Sequence, residues 1–154
     1  MTGSKHEAKG AGVIARRTEL FEDTGHLMGW EFSDQGFGLV LSPNVPGFIA
    51  EAFPPRAQAF LSEHDLSPEE VDHFALHPGG RQVLEAYRRG LGLGPEALAP
   101  TREALRLNGN LSSASVFFSL DKVLETNHPR PGDTGFMAAM GPGFAAEMLL
   151  LKWQ

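Results

Sequence analysis

Along the chain the hydrophobic positions change period several times, and each change marks an element. Gly12–Leu20 carries Val13, Ile14 and Ala15 and predicts a strand. Glu22-Asp23-Thr24-Gly25 reads as a turn. His26–Phe32 and Gly36–Leu41 are two further extended segments, split by Ser33-Asp34-Gln35-Gly36. The second of them, Phe37-Gly38-Leu39-Val40-Leu41, is apolar enough to predict a buried strand. Ser42–Gly47 is a loop rich in turn formers, and Phe48–Leu61 has helical spacing through Phe48, Ile49, Ala52, Phe53, Ala57 and Phe60. Pro54 and Pro55 predict two short helices or one broken one, because proline lacks an N–H and clashes with the preceding turn. In Ser67-Pro68-Glu69-Glu70, Ser67 reads as an N-cap, Pro68 as the first helical residue and Glu70 as the partner in a capping box.

Val71–His77 then reads as a strand and Gly79–Gly90 as a helix. Val83, Leu84, Tyr87 and Leu91 give that helix its apolar face, and Gly90 and Gly92 close it. Pro95–Leu98 and Thr101–Leu107 are short helical pieces. Ser112–Thr126 is apolar nearly all round, through Ala114, Val116, Phe117, Phe118, Leu120, Val123 and Leu124, which predicts a buried helix. Asn127–Asp133 is a loop, and Thr134–Met140 and Ala145–Trp153 are strands whose apolar runs predict burial on both faces. Strands alternate with helices and the chain closes on two strands, so the fold class is α/β, a mixed sheet with helices packed on it. Residues 1–11 are polar, with Lys5, His6 and Lys9, and read as a flexible leader; residues 12–154 read as one domain.

Composition adds exclusions. The 154 residues are enough for one domain with a real core, and 42% hydrophobic with 21% charged residues is ordinary for a soluble globular protein. A net charge of −6 argues against nucleic acid as a partner. No apolar run reaches the length of a membrane span, and the N-terminus lacks the apolar core of a signal peptide, so a cytoplasmic location is expected. The cysteine count is zero, which excludes disulfides, thiolate metal sites and a cysteine nucleophile within these residues.

Two stretches carry chemistry. Phe74-Ala75-Leu76 leads into His77-Pro78-Gly79-Gly80, so His77 sits where a strand ends and a helix begins, the edge at which open α/β sheets bind ligands. Gly79 and Gly80 let a ligand approach the backbone, and the helix start offers free N–H groups. Asn108-Gly109-Asn110-Leu111-Ser112-Ser113-Ala114-Ser115 repeats the geometry: Gly109 and Asn110 form a turn, and Ser112 or Ser113 can cap the next helix. His77 and Asn110 can therefore converge on one developing oxyanion. His73 and His77 are four apart, but no carboxylate or third ligand has motif spacing, so no metal site is expected. Arg88, Arg89, Arg102 and Arg106 read as solvated helix faces.

His-Pro-Gly-Gly at 77–80, Gly-Asn-Leu-Ser-Ser-Ala-Ser at 109–115 and Gly141-Pro142-Gly143-Phe144, together with Leu41-Ser42-Pro43-Asn44-Val45-Pro46-Gly47, resemble the C-terminal region of type III polyketide synthases, the chalcone and stilbene synthase family. The resemblance runs over roughly residues 12 to 154. It implies the C-terminal half of a thiolase-like fold, with one strand of that half lying before residue 1. It implies that His77 and Asn110 polarise the thioester carbonyl of malonyl-CoA and stabilise the enolate and the later tetrahedral oxyanion. Gly79, Gly80, Ser112, Leu39, Met140, Gly141, Pro142 and Gly143 are the implied substrate-binding residues. Leucine stands at 39, where the family often has a phenylalanine that gates access, so a gate of the plant type is not expected.

By the same resemblance the substrates are acyl-CoA and malonyl-CoA, with no cofactor, and the cysteine nucleophile belongs to an N-terminal half that is missing here. The full enzyme would be a homodimer and an acyltransferase, and this chain alone would be inactive. Two alternatives stand beside this reading. A ketoacyl-carrier-protein synthase III shares the Cys-His-Asn logic, although its histidine motif reads His-Gln-Ala-Asn. A non-catalytic remnant or assembly partner is the other.

Overall fold

The computed structural model describes residues 10–154, and the proposed leader over 1–11 falls outside the described residues for 1–9. Ala11 belongs to the sheet, since strand β1 runs Ala11–Leu20, and the Gly10 carbonyl just before it accepts from the Gln154 N–H at 3.1 Å. A four-stranded sheet is built from β1, β4 (His73–Leu76), β5 (Thr134–Gly141) and β6 (Ala145–Trp153), in the order β1-β6-β5-β4. β1 and β5 each pair antiparallel with β6, whereas β4 lies parallel to β5, so the sheet is mixed as the sequence predicts. β2 (Met28–Ser33) and β3 (Gly36–Leu41) form a separate antiparallel hairpin.

Alternation along the strands divides the core in two. Phe74 and Leu76 of β4, Phe136 and Ala138 of β5, and Met148 and Leu150 of β6 join the larger cluster on one face. Helices α1 (Val45–Ser62) and α2 (Arg81–Gly90) cover that face with Phe53, Phe60 and Tyr87, each of them fully buried. Burial of each such aromatic stabilises the fold by about 1.5–3 kcal/mol. Ala75, Met137, Leu151 and Trp153 point the other way and meet Val116 and Val123 of α4 (Ser115–Asn127), which packs beside α3 (Ala99–Asn108). Consecutive burial of Phe136, Met137 and Ala138 bears out the expectation of a strand covered on both faces.

Four sequence expectations are corrected. Pro54 and Pro55 do not break α1, which is continuous over eighteen residues. The carbonyls that lose a donor belong to Ala50 and Glu51, both exposed residues. Pro54 is itself buried, seated against Gly90 so closely that a Cβ there would lie 2.2 Å from its ring. The two short pieces over 95–98 and 101–107 resolve into a turn and the single helix α3, with Pro100 in its first turn. Strand β3 is not buried: Phe37 is 73% and Leu39 60% exposed, because among the described residues no second layer packs over the hairpin. Helix α4 is buried on one side only, and Phe117 is 64% exposed on the other. The Ser67 turn is as expected, with the Glu70 carboxylate accepting from both the Ser67 N–H and its hydroxyl at 2.8 Å. It is a single 3₁₀ turn over Pro68–Glu70.

Candidate active site

The parallel pairing of β4 with β5 continues one residue beyond the strand, where the His77 N–H donates to the Ala138 carbonyl at 2.8 Å. This fixes the histidine backbone at the sheet edge, just before α2 begins at Arg81. The imidazole makes no hydrogen bond to a described residue, and Nδ1 is the buried ring nitrogen without a partner. Burial pushes the His77 pKa down, so the neutral ring is favoured. In the neutral ring with its proton on Nε2, that nitrogen is a donor and Nδ1 an acceptor. Gly79 gives the ring its room: a Cβ there would stand 3.3 Å from Val83 Cγ2 and 3.5 Å from His77 Cδ2.

Asn110 arrives from the other side of the sheet edge. Helix α3 ends at Gly109, whose φ of +69° turns the chain. The Asn110 side chain is held at both ends. Its Oδ1 accepts from the Ser112 N–H at 2.9 Å and from the Ser115 hydroxyl at 3.4 Å, and its Nδ2 donates to the Gly79 carbonyl at 3.2 Å. A carboxamide nitrogen carries two N–H groups, so the Gly79 bond leaves one free. The same bond closes the gap between the two motifs, because Gly79 is two residues from His77.

Two buried serines that the sequence reading passed over set this alignment. Ser115 Oγ accepts from the Leu111 N–H at 2.6 Å, and Ser119 Oγ donates to the Leu76 carbonyl at 2.9 Å. Helix α4 is thereby tied both to the loop that carries Asn110 and to the residue before His77. Their signal in the sequence was two small polar residues four apart on the face that also carries Val116 and Val123. Ser112 is not the helix cap that the sequence suggested. It sits at φ +57°, and its N–H is taken by Asn110. Neither the 3₁₀ turn over Ser112–Ala114 nor α4 carries a side-chain cap; the Asn110 and Ser115 bonds instead hold the loop that leads into them.

His77, Gly79, Asn110 and Met140 line one cavity of about 340 Å³. Gly80, Ser112, Leu39, Gly141, Pro142 and Gly143 lie outside that lining. Leu41 and Phe144 take the places expected of Leu39 and the glycine turn, with Met28, Pro43 and Tyr87 completing an apolar wall. The turn still positions Phe144: its N–H donates to the Thr24 hydroxyl at 2.6 Å, and its ring packs edge-on to Phe48. Tyr87 is wholly buried, its hydroxyl donating only to Met140 Sδ at 3.7 Å. The His73 ring, by contrast, faces away from this chemistry, bridging Asp133 at 3.0 Å and Asn127 at 3.3 Å beside Trp153. Among the described residues no three of His, Cys, Asp or Glu gather as a metal site. No described helix is long and apolar enough to cross a membrane.

Residues 13–153 match the family profile of chalcone and stilbene synthases, C-terminal domain. The chain belongs to this family. The 1,3,6,8-tetrahydroxynaphthalene synthase of Streptomyces peucetius subsp. caesius is 40% identical over 94% of this chain and 39% of its own length. The crystal structure of a polyketide synthase from the brown alga Ectocarpus siliculosus superposes with a TM-score of 0.87 at 30% identity, covering all of this chain and 42% of that one. The bacterial type III enzyme 1,3,6,8-tetrahydroxynaphthalene synthase of Streptomyces coelicolor A3(2) gives 0.90 at 26% identity, over 97% and 42%. The chain is thus a C-terminal domain of the type III polyketide synthases with the thiolase-like fold, and it spans about two fifths of the length of the relatives it matches.

Proposed function

We propose that this domain supplies the oxyanion-stabilising half of a decarboxylative condensation. A cysteine from outside these 154 residues carries the acyl chain. Acyl-CoA and malonyl-CoA are the substrates, the enzyme is an acyltransferase working as a homodimer, and no cofactor is called on. When the C–C bond to the malonyl carboxylate breaks, CO₂ leaves and the electron pair passes to the thioester carbonyl, giving an enolate oxygen. His77 Nε2–H and the free Asn110 Nδ2–H donate to that oxygen. The enolate carbon then attacks the acyl thioester carbonyl and forms the new C–C bond; the tetrahedral oxyanion collapses, the C–S bond to the cysteine breaks, and the cysteine thiolate leaves. Neither donor needs to give up its proton, and neither is charged at neutral pH.

The observation that carries this reading is the hydrogen bond from Asn110 to the Gly79 carbonyl, which holds the amide beside the imidazole on one cavity wall. The test compares the chain alone with the chain joined to a cysteine-bearing N-terminal half. Alone, it should form neither polyketide nor covalent acyl-protein from acyl-CoA and malonyl-CoA; joined, it should form both. Product from the chain alone, above a heat-inactivated control, would overturn the proposal.

A further inference from the structure

Of the side chains lining the His77 cavity that can hydrogen-bond, Ser42, His77, Gln82, Tyr87 and Asn110, only Tyr87 is completely shut off from solvent. It stands one helical turn after Val83 on α2, on the same face of the helix. Val83 in turn abuts Gly79, so one wall runs from His77 through Gly79 and Val83 to Tyr87. Phe53 packs edge-on to the Tyr87 ring, with centroids 5.5 Å apart, and fixes its orientation. Burial pushes the phenol pKa up, so the hydroxyl keeps its proton and stays a donor.

The acceptor does not match the donor. The hydroxyl reaches Met140 Sδ at 3.7 Å, and a thioether is a weak acceptor. A buried donor served so poorly costs stability that phenylalanine at this position would not lose. Met140 is only half-buried and lines the same cavity. It lies on β5 two residues after Ala138, whose carbonyl holds the His77 N–H. Its unbranched side chain has three rotatable bonds and repacks readily. The condensation described above leaves a ketone in the chain, because the acyl carbonyl that the enolate attacks becomes the β-carbonyl of the extended thioester. We propose that Tyr87 is a specificity-determining residue: with Met140 turned aside, its hydroxyl donates to the β-ketone oxygen, so the cavity prefers a β-ketoacyl thioester to a saturated one. This rests on the condensation reading, which supplies the ketone.

The test uses the acetoacetyl and butanoyl thioesters of N-acetylcysteamine, whose acyl groups have the same carbon skeleton and differ only in the ketone oxygen. Each is titrated into the chain labelled with ¹³C at its methionine methyl groups, with Met140→Leu identifying the Met140 resonance. The acetoacetyl ester should bind the more tightly and should shift the Met140 methyl, which the butanoyl ester leaves near its free position. Tyr87→Phe should cut the affinity ratio of the two esters by about two- to tenfold, the value of one neutral hydrogen bond, while butanoyl binding holds. Met140→Leu removes the competing sulfur and should keep the preference. Circular dichroism checks that each variant folds, and should Tyr87→Phe fail to fold, the methyl shifts and Met140→Leu still decide. No binding of the acetoacetyl ester, a ratio that ignores Tyr87→Phe, a preference lost in Met140→Leu, or equal Met140 shifts with both esters would each overturn the inference. Tyr87-dependent preference in a chain whose joined form fails to condense would uphold the Tyr87 site and refute the condensation reading alone.

Discussion

Replacing Ser119 by alanine tests whether the register between the two motifs is set by α4. Ser119 is fully buried, and its hydroxyl donates to the Leu76 carbonyl, on the residue before His77. Removal leaves that carbonyl, on a residue that is itself fully buried, without this donor. An unsatisfied buried acceptor costs about 1–3 kcal/mol. For a domain of this size each kcal/mol lowers the melting temperature by roughly 2–4 °C. Urea titration of the wild-type and Ser119→Ala chains should therefore show a loss of about 1–3 kcal/mol at unchanged slope. Ser119→Cys keeps a weaker donor on a somewhat larger side chain, so it should fall between the two. The amide resonances of Leu76, His77 and Asn110 should shift together. If Ser119→Ala is within about 0.5 kcal/mol of wild type, the range of ordinary surface substitutions, and those resonances stay put, α4 does not hold the site in register.

Gly79→Ala should displace the His77 ring, since the new Cβ stands 3.3 Å from Val83 and 3.5 Å from the ring, and cost about 1–3 kcal/mol as overpacking; the imidazole proton shifts report it. Because burial depresses the His77 pKa, the unfolded chain binds more protons than the folded one just below the ordinary histidine value of about 6.5. Stability should therefore fall as pH drops below that value towards the lower folded pKa, and His77→Gln should flatten this limb in denaturant titrations at successive pH values. Phe117, Phe118 and Leu124 form an exposed apolar face on α4. The isolated chain should bind an apolar-surface dye and self-associate, and Phe117→Ser with Leu124→Ser should reduce both in fluorescence and light scattering.

The chemistry was more legible in the sequence than the packing. His77 declared itself as the residue between an apolar strand and two glycines, and the structure places it at that edge. Asn110 declared itself through the turn at Gly109, although nothing in the spacing told that its amide would bond to Gly79. Periodicity identifies apolar residues without saying what covers them. That is why Phe37 and Phe117 read as buried and are exposed. Position along the hairpin was misjudged for the same reason, with Leu41 rather than Leu39 reaching the cavity. Proline at 54 argued for a break, and only the close seat on Gly90 reveals why the residue is tolerated inside a continuous helix. Ser112 satisfied the rule for a cap, but its own N–H donates to Asn110 and neither helical turn that follows has a side-chain cap.

The central claim is that His77 and Asn110 act on one oxygen. The most direct measurement is a double-mutant cycle on malonyl-CoA decarboxylation, made in the domain joined to a cysteine-bearing half. His77→Ala and Asn110→Ala should each slow the step on the order of 10²-fold or more, as loss of one oxyanion donor does elsewhere. The double variant should lose far less than the product of the two, because groups that act as a unit are not additive. Malonyl-CoA binding should hardly change, since the donors respond to charge that develops in the transition state. Losses that simply multiply, or an Asn110→Ala variant that decarboxylates at the wild-type rate while melting lower, would show that Asn110 only shapes the turn and that the two residues do not share an oxyanion.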